Sequence, residues 1–171
     1  MMHDSCAMVL AGKASKAAGI VGSGITKYRS TGATAWAPWY LSFLARAHAD
    51  LGQLADAGRF TAEALAVVEI TKETWCEAEV SRVAGEIALK SPEQAATKAK
   101  AYFERALAVA REQQAKSWEL RAAMSMARLW RDQDKCQQAH DLLAPIYGWF
   151  TEGFDTQDLK EAKALLEQLT E

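Results

Sequence analysis

The chain has few of the features that mark secreted, membrane or nucleic-acid-binding proteins. Its 171 residues include three cysteines, Cys6, Cys76 and Cys136, which lie far apart and form no C-x-x-C pair. This spacing argues against a disulfide framework or a thiolate zinc site, and it favours a reducing cytoplasm. No apolar run reaches the length of about 20 residues that a membrane-spanning helix needs. The formal net charge of −2 offers no general attraction for nucleic acid or anionic membranes.

Proline is also scarce, and its scarcity permits long helices along most of the chain. Only three prolines are present, whereas half of the residues are hydrophobic and alanine is abundant. Strands are poorly supported by this composition, because they favour β-branched and aromatic residues over alanine. The sequence therefore predicts an all-α protein, and its length predicts a single domain over residues 1–171.

Tryptophans mark an internal repeat with a period of about 40 residues. The tryptophans of this repeat are Trp36, Trp75 and Trp118. Each follows a hydroxyl residue that could cap the first turn of a helix, so Thr34, Thr74 and Ser117 are predicted helix starts. Because the three tryptophans occupy equivalent positions, we expect them to pack inside the fold and to leave Trp39 and Trp149 as the exposed pair.

Apolar residues at helical spacing follow each predicted start, and a second such stripe follows each polar turn. These stripes predict three helix hairpins, at 34–70, 75–113 and 117–151. Residues 1–30 are predicted to form a degenerate half repeat with an open apolar end, and residues 156–170 a capping helix that follows a left-handed Gly153. Small residues recur where paired helices would cross, at Ala45, Ala57, Ala84, Ala99, Ala127 and Ala139.

This pattern resembles the tetratricopeptide repeat (TPR) family, whose hairpins carry small residues at the crossing of their two helices. The residues that carry the resemblance are Leu44-Ala45, Gly52 and Ala64-Leu65 in the first hairpin, and Phe103 and Ala106-Leu107 in the second. The resemblance implies a TPR-like α-solenoid, which is a right-handed superhelical stack of antiparallel helix hairpins. It also implies a concave groove, lined by the first helix of each hairpin, that binds a protein or peptide.

The C-terminal part of the chain resembles a narrower group of proteins. The segments Leu129–Gln133 and Leu142–Thr156 are similar to the C-terminal signature of large bacterial signalling proteins. Those proteins join a class III adenylate or guanylate cyclase, or another output domain, to an ATPase and a tetratricopeptide tail. The resemblance implies a cytoplasmic regulatory role in signal transduction, either as a fragment of such a tail or as a stand-alone descendant of one.

No catalytic constellation is found, so the chain is predicted not to be an enzyme. The closest pattern, Gly19–Lys27, fails as a phosphate loop because Ile25 follows Gly24 where a lysine is required. We interpret this segment as a helix whose glycines let a neighbouring helix approach closely. The three histidines have no partners at metal-ligand spacing, and neither a cofactor nor a metal ion is predicted.

The predicted groove has a basic lining. The face of each first helix beside its small crossing residue gives the candidate partner-binding residues Trp39, Ser42, Arg46, Ser81, Arg82, Arg121, Met124 and Arg128. Because Arg46, Arg121 and Arg128 lie on this face with no acid, we expect it to bind an acidic peptide or a C-terminal carboxylate. The alternative is that these arginines are solvated and paired with surface acids such as Glu86 and Asp132.

Two functions remain open at the level of the sequence. The favoured function is a non-catalytic protein-interaction or regulatory module that binds its partner in the groove. The alternative is a structural self-association module that forms a homodimer through the open N-terminal end. Neither nucleic acid nor a membrane is expected as a partner.

Overall fold

A computed structural model describes residues 14–91 and 95–170 of the chain. This part contains eight helices and no strand, which confirms the all-α prediction. The helices are α1 (Ala14–Ser30), α2 (Ala37–Asp50), α3 (Leu54–Thr71), α4 (Glu77–Leu89), α5 (Ala95–Glu112), α6 (Lys116–Arg131), α7 (Cys136–Tyr147) and α8 (Gln157–Leu169). The beginning of the predicted half repeat at 1–30 lies outside the described residues.

The helices stack as three antiparallel hairpins, α2 with α3, α4 with α5, and α6 with α7. Helix α1 packs against α2, while α8 packs against α6 and α7. The inner layer, which consists of α2, α4, α6 and α8, is continuous because each of its helices contacts the next. The outer helices α3, α5 and α7 do not approach one another within the described ranges. The closer spacing of the inner layer curves the stack and places this layer on the concave side, as the predicted TPR-like α-solenoid requires.

Small residues set how closely the two helices of a hairpin approach. The six alanines of the predicted crossings are all buried, with at most 2% of their surface exposed. In the second hairpin, a Cβ atom on Gly85 of α4 would lie 2.3 Å from Cε1 of Phe103 in α5. Phe103 is fully buried at this point. Gly85 therefore forms the crossing of α4 with α5, a role that the sequence pattern assigns to Ala84.

The predicted hydroxyl caps of the first helices are wrong. The residues that precede α2, α4 and α6 form no side-chain cap: they are Trp36, Cys76 and Ala115. Thr34 and Thr74 lie farther upstream, and their carbonyl oxygens accept hydrogen bonds from the amides of Ala37 and Glu77. Ser117 lies inside α6. A backbone-bonded turn therefore occupies the place of the predicted cap, and α2 and α4 begin three residues after the threonines.

An aromatic row runs along the edge of the stack where one hairpin leads into the next. The centroid of the Trp75 ring lies 4.7 Å from that of Trp36 and 6.3 Å from that of Trp118. This contact supports the predicted packing role of Trp75 and Trp118, whereas Trp36 is 43% exposed. Of the predicted exposed pair, Trp149 is 58% exposed. The prediction is wrong for Trp39, which is only partly exposed because it packs against Trp75.

Helix α1 is continuous through Gly19–Lys27, in agreement with the helical interpretation of this segment. Its buried face includes Ala17 and Val21. Among the described residues, a Cβ atom on Gly19 or Gly22 would meet nothing within 4 Å, so no described helix approaches α1 at these two glycines. Within the described part, α1 carries no exposed large hydrophobic residue.

Helix α8 covers the last hairpin, as the sequence predicts for a capping helix. Gly153 has the expected left-handed conformation, with a φ of 77°, and it turns the chain toward α8. Leu159, Leu165 and Leu169 are buried in the core that α8 shares with α6 and α7. The opposite side of α8 is exposed and includes Lys160. This helix thus shields the apolar side of the third hairpin from solvent.

We predict that Gly85→Ala destabilises the protein, because the new methyl group would collide with the buried Phe103 ring. Overpacking of this kind typically costs about 1–3 kcal/mol of unfolding free energy. Gly22→Ala is the matched control, since it adds the same methyl group to a helix position where no described atom lies within 4 Å. The control should gain about 0.5–1 kcal/mol. Urea denaturation followed by circular dichroism measures both effects, and equal shifts in one direction would contradict the assigned crossing.

We also predict that a chain ending at Asp155 aggregates on heating, because its last hairpin would expose an apolar side. Each of the leucines that α8 buries contributes about 1.5–3 kcal/mol before the loss of chain entropy is subtracted. A chain ending at Leu169 retains these leucines and is the control. Light scattering during thermal unfolding compares the two chains with the full one. Equal solubility and equal Tm for all three would show that α8 is not a cap.

Candidate partner-binding groove

The inner layer encloses a groove of about 800 Å³ on the concave side of the stack. Helices α2, α4 and α6 each supply three residues at intervals of one helical turn, so that the three share one helix face. Helix α8 closes the far end. The lining residues are Trp39, Phe43 and Arg46 from α2, Glu79, Arg82 and Glu86 from α4, Arg121, Met124 and Arg128 from α6, and Gln157, Asp158 and Glu161 from α8.

Most of the residues that the sequence assigns to the groove line it, and two serines do not. Those that line it are Trp39, Arg46, Arg82, Arg121, Met124 and Arg128. Ser42 is buried, and its hydroxyl donates to the carbonyl oxygen of Trp39 at 2.7 Å. Ser81 is fully buried, one turn before Gly85 and on the same helix face. Because Gly85 faces α5, the groove face of α4 is shifted by one residue from the predicted one.

The prediction that no acid lines the groove is wrong. Four acids line it together with four arginines, so its formal charge is zero: the acids are Glu79, Glu86, Asp158 and Glu161. The spacing in α4 already contains a signal for two of them, because Glu79 and Glu86 stand three residues before and four residues after Arg82, where ion pairs form on a helix. The acids of α8 could be predicted to line the groove only if the capping helix were known to extend the inner layer.

A buried ion pair forms the floor of the groove. Nε and Nη2 of Arg82 donate to the two carboxylate oxygens of Glu79 at 2.8 and 2.7 Å. Nη1 of Arg82 donates to Glu86, and at 3.3 Å to the hydroxyl of Ser125 in α6. Both members of the main pair are nearly inaccessible, with 5% of Glu79 and 7% of Arg82 exposed. A bidentate pair of this kind fixes the orientation of the guanidinium plane and also neutralises its charge.

The two buried groups remain charged because each stabilises the ionised form of the other. Burial alone would raise the pKa of Glu79, but the hydrogen bonds from Arg82 and the charges of Arg82, Arg121 and Arg46 outweigh it, and the pKa is lowered. Burial likewise opposes the charge of Arg82, yet Glu79 and Glu86 raise its pKa above the ordinary value. The floor of the groove is thus a permanent ion pair at neutral pH.

Ion pairs continue from this floor to the capping helix. Arg121 of α6 donates from Nε to Asp158 of α8 at 2.7 Å, and its Nη1 lies 3.9 Å from Glu79. Arg128 donates to Glu161 at 2.9 Å. A hydrogen bond from Gln157, followed by the bond and charge of Arg128, lowers the pKa of Glu161. The arginines of α4 and α6 that line the groove are therefore paired with acids of the same chain, as the alternative interpretation of the sequence proposes.

Arg46 differs from the other arginines of the groove. It forms no ion pair with any residue in the described ranges, although its charge acts on Glu79 from a distance. It shares the α2 wall of the groove with Trp39 and Phe43, whose rings meet edge to face at a centroid distance of 5.1 Å. The α2 end therefore combines a cation without an acid partner and an apolar aromatic surface.

The described residues were compared with the requirements of a metal site, a membrane-spanning helix and a reactive thiol. Within residues 14–91 and 95–170, no group of three or more histidine, cysteine, aspartate or glutamate side chains is arranged to hold a metal ion. No helix of this part is sufficiently long and apolar to cross a bilayer. The buried Cys76 has a pKa raised by burial to about 12, which makes its thiol a poor nucleophile at neutral pH.

We predict that Glu79→Gln costs about 3 kcal/mol of unfolding free energy, because it leaves Arg82 buried with only part of its compensation. Since the folded pKa of Glu79 lies below the unfolded value, its contribution is present above a pH of about 4.3 and is lost as the pH falls through the folded pKa. Unfolding in urea between neutral and acidic pH should show a smaller acid-induced loss for the variant. The half-exposed Glu161→Gln is the control and should change stability by less than about 1 kcal/mol.

Comparisons with known proteins identify the fold. No protein-family model matches the chain, and no curated protein is similar to it in sequence. Two crystal structures of the nearly identical TPR-like repeats of a kinesin light chain-like protein from Podosopora anserina, one of them a point variant, are similar in structure. Their TM-scores are 0.68 and 0.67 at 15% and 16% identity, with 99% of this chain and 91% of each of those chains covered. At this identity the likeness establishes that the chain has a TPR-like repeat fold.

Proposed function

We propose that the chain is a non-catalytic protein-interaction module that binds a segment of a partner polypeptide in its concave groove. The observation that carries this proposal is the groove of about 800 Å³, which runs across all four helices of the inner layer. A groove that runs across four helices suits an extended or helical segment better than a compact small molecule. TPR-like folds commonly serve protein interactions, which agrees with this use of the concave side.

The charges of the groove favour a partner segment with one acidic group beside an apolar side chain. Arg82, Arg121 and Arg128 already bind acids of the chain, so a strongly acidic segment would have to displace them. Arg46 has no such competitor among the described residues, and the rings of Trp39 and Phe43 lie on the same wall. A carboxylate of the partner segment would bind Arg46, and an apolar side chain next to that carboxylate would pack on these rings. Of the acidic segments expected from the sequence, we therefore favour one that places a single carboxylate in the groove.

The biological setting that we infer rests on the sequence resemblance. The C-terminal segment Leu142–Thr156 is similar to the tails of bacterial cyclase and ATPase signalling proteins. In such a setting the bound segment would belong to another domain or subunit of a cytoplasmic signalling protein, and its docking would regulate that protein. The alternative is a structural module that forms a homodimer through its N-terminal end.

We predict that peptides selected for binding to the chain bind in this groove. Peptides would be selected from a displayed random library and their Kd values measured by fluorescence anisotropy. Arg46→Ala should weaken binding by about tenfold or more, because hydrogen bonds to charged groups are worth about 1.5–3 kcal/mol. Trp39→Ala should weaken it to a similar degree through the loss of aromatic contact.

Lys98→Ala is the control for this experiment, because Lys98 is exposed on the outer helix α5. All three variants would be compared with the unmodified chain by thermal unfolding, so that a loss of folding is not mistaken for a loss of binding. Selected peptides that bind the Arg46 and Trp39 variants as tightly as the unmodified chain would place the interaction outside the groove and overturn the proposal.

A further inference from the structure

A second cavity lies at the edge of the stack, where α5 leads into α6 and where α7 ends. Its volume of about 580 Å³ is in the range of small-molecule sites. It is lined by Arg111, Gln114, Lys116, Ser117, Trp149 and Phe150. Its described lining residues include two cations and no acid, whereas the charges of the groove cancel one another.

One buried acid holds both cations in place. Glu119, which is 4% exposed, accepts hydrogen bonds from Nε of Arg111 at 2.9 Å and from Nζ of Lys116 at 2.7 Å. Burial by itself would raise the pKa of Glu119, but the bonds and charges of Lys116 and Arg111 outweigh this effect and lower it. Glu119 is therefore ionised at neutral pH, and the cluster retains a surplus of one positive charge.

The surplus charge is accessible from the cavity. The side chain of Arg111 is 53% exposed and that of Lys116 is 34% exposed. Glu119 engages only Nε of Arg111, and the two terminal nitrogens of that guanidinium bind no residue in the described ranges. A carboxylate in the cavity could accept a hydrogen bond from these nitrogens without displacing Glu119.

An aromatic ring forms another wall of the cavity. Trp149 follows the end of α7 and is 58% exposed, although the edge-to-face contact with Phe150 holds it at a centroid distance of 5.2 Å and an angle of 86°. Nζ of Lys116 lies 5.7 Å from the centroid of the Trp149 ring. The ring thus presents an open surface for stacking beside the positive charge.

We propose that this cavity binds a small molecule that carries one carboxylate on a planar aromatic ring. The ring would stack on Trp149, and the carboxylate would bind Arg111 and Lys116. A single negative charge matches the single surplus positive charge, so a monoanion fits better than a polyphosphate, whose additional charges would find no partner. The site is separate from the peptide groove, and occupation of the one does not require occupation of the other.

The experiment uses naphthoate as the probe and its uncharged amide, naphthamide, as the matched control ligand. Naphthoate is titrated into the full chain while the indole N–H resonance of Trp149, assigned by its loss in Trp149→Ala, is followed by NMR. We expect a saturable shift of this resonance and a Kd measurable by calorimetry. Naphthamide should bind at least about fivefold more weakly, because it lacks the charge that Arg111 and Lys116 recognise.

Two variants test the walls of the cavity separately. Trp149→Ala should weaken naphthoate binding by at least about fivefold, whereas Trp36→Ala, which removes another exposed tryptophan outside the cavity, should leave it unchanged. Arg111→Gln should abolish the preference for naphthoate over naphthamide, while Lys116 still neutralises Glu119. Naphthoate that fails to saturate, naphthamide that binds equally well, or a Trp149→Ala variant that binds as tightly as the unmodified chain would each overturn the proposal.

Discussion

The close approach of helices at small residues is the constraint on which the rest of the molecule depends. Where Gly85 meets the buried ring of Phe103, there is no room for even one further methyl group. The buried alanines of the other crossings act in the same way, since each replaces a side chain that would hold the helices apart. Because these crossings orient the inner helices, they also decide which residues of α2, α4 and α6 face the groove.

The second constraint is that charge brought into the groove must be balanced within the chain. Arg82 and Glu79 are almost fully buried, and such a pair is tolerable only with good geometry and further hydrogen bonds. The network meets this demand through Glu86 and Ser125, and it passes through Arg121 to the capping helix. The ion pairs that stabilise the groove therefore neutralise most of the charged groups that a partner could otherwise bind.

Much of the fold could be predicted from the sequence, because helical periodicity and recurring small residues are local signals. The details of the groove could not, because they depend on which residue of each helix meets its neighbour. The pattern favours Ala84 as the crossing residue of α4, but Gly85 takes this place, and the shift buries Ser81 and turns Glu79 and Glu86 into the groove. The acids of α8 also give no local signal, since they reach the groove only through the stacking of α8 on α6.

Helix α6 connects the two surfaces to which we assign binding roles. Its first turns carry Lys116 and Glu119 at the edge cavity, and two residues after Glu119 its inner face contributes Arg121 to the groove. On both surfaces, arginines that are paired within the chain stabilise the fold, and guanidinium groups that are not fully paired can bind a ligand. Arg121 is bound to acids of its own chain and so stabilises the stack, whereas Arg46 in the groove and the terminal nitrogens of Arg111 in the edge cavity have no acid partner in the described ranges. An arginine can bind an external carboxylate without disrupting the fold only through nitrogens that the chain has not already paired, so recognition is expected at Arg46 and at the terminal nitrogens of Arg111.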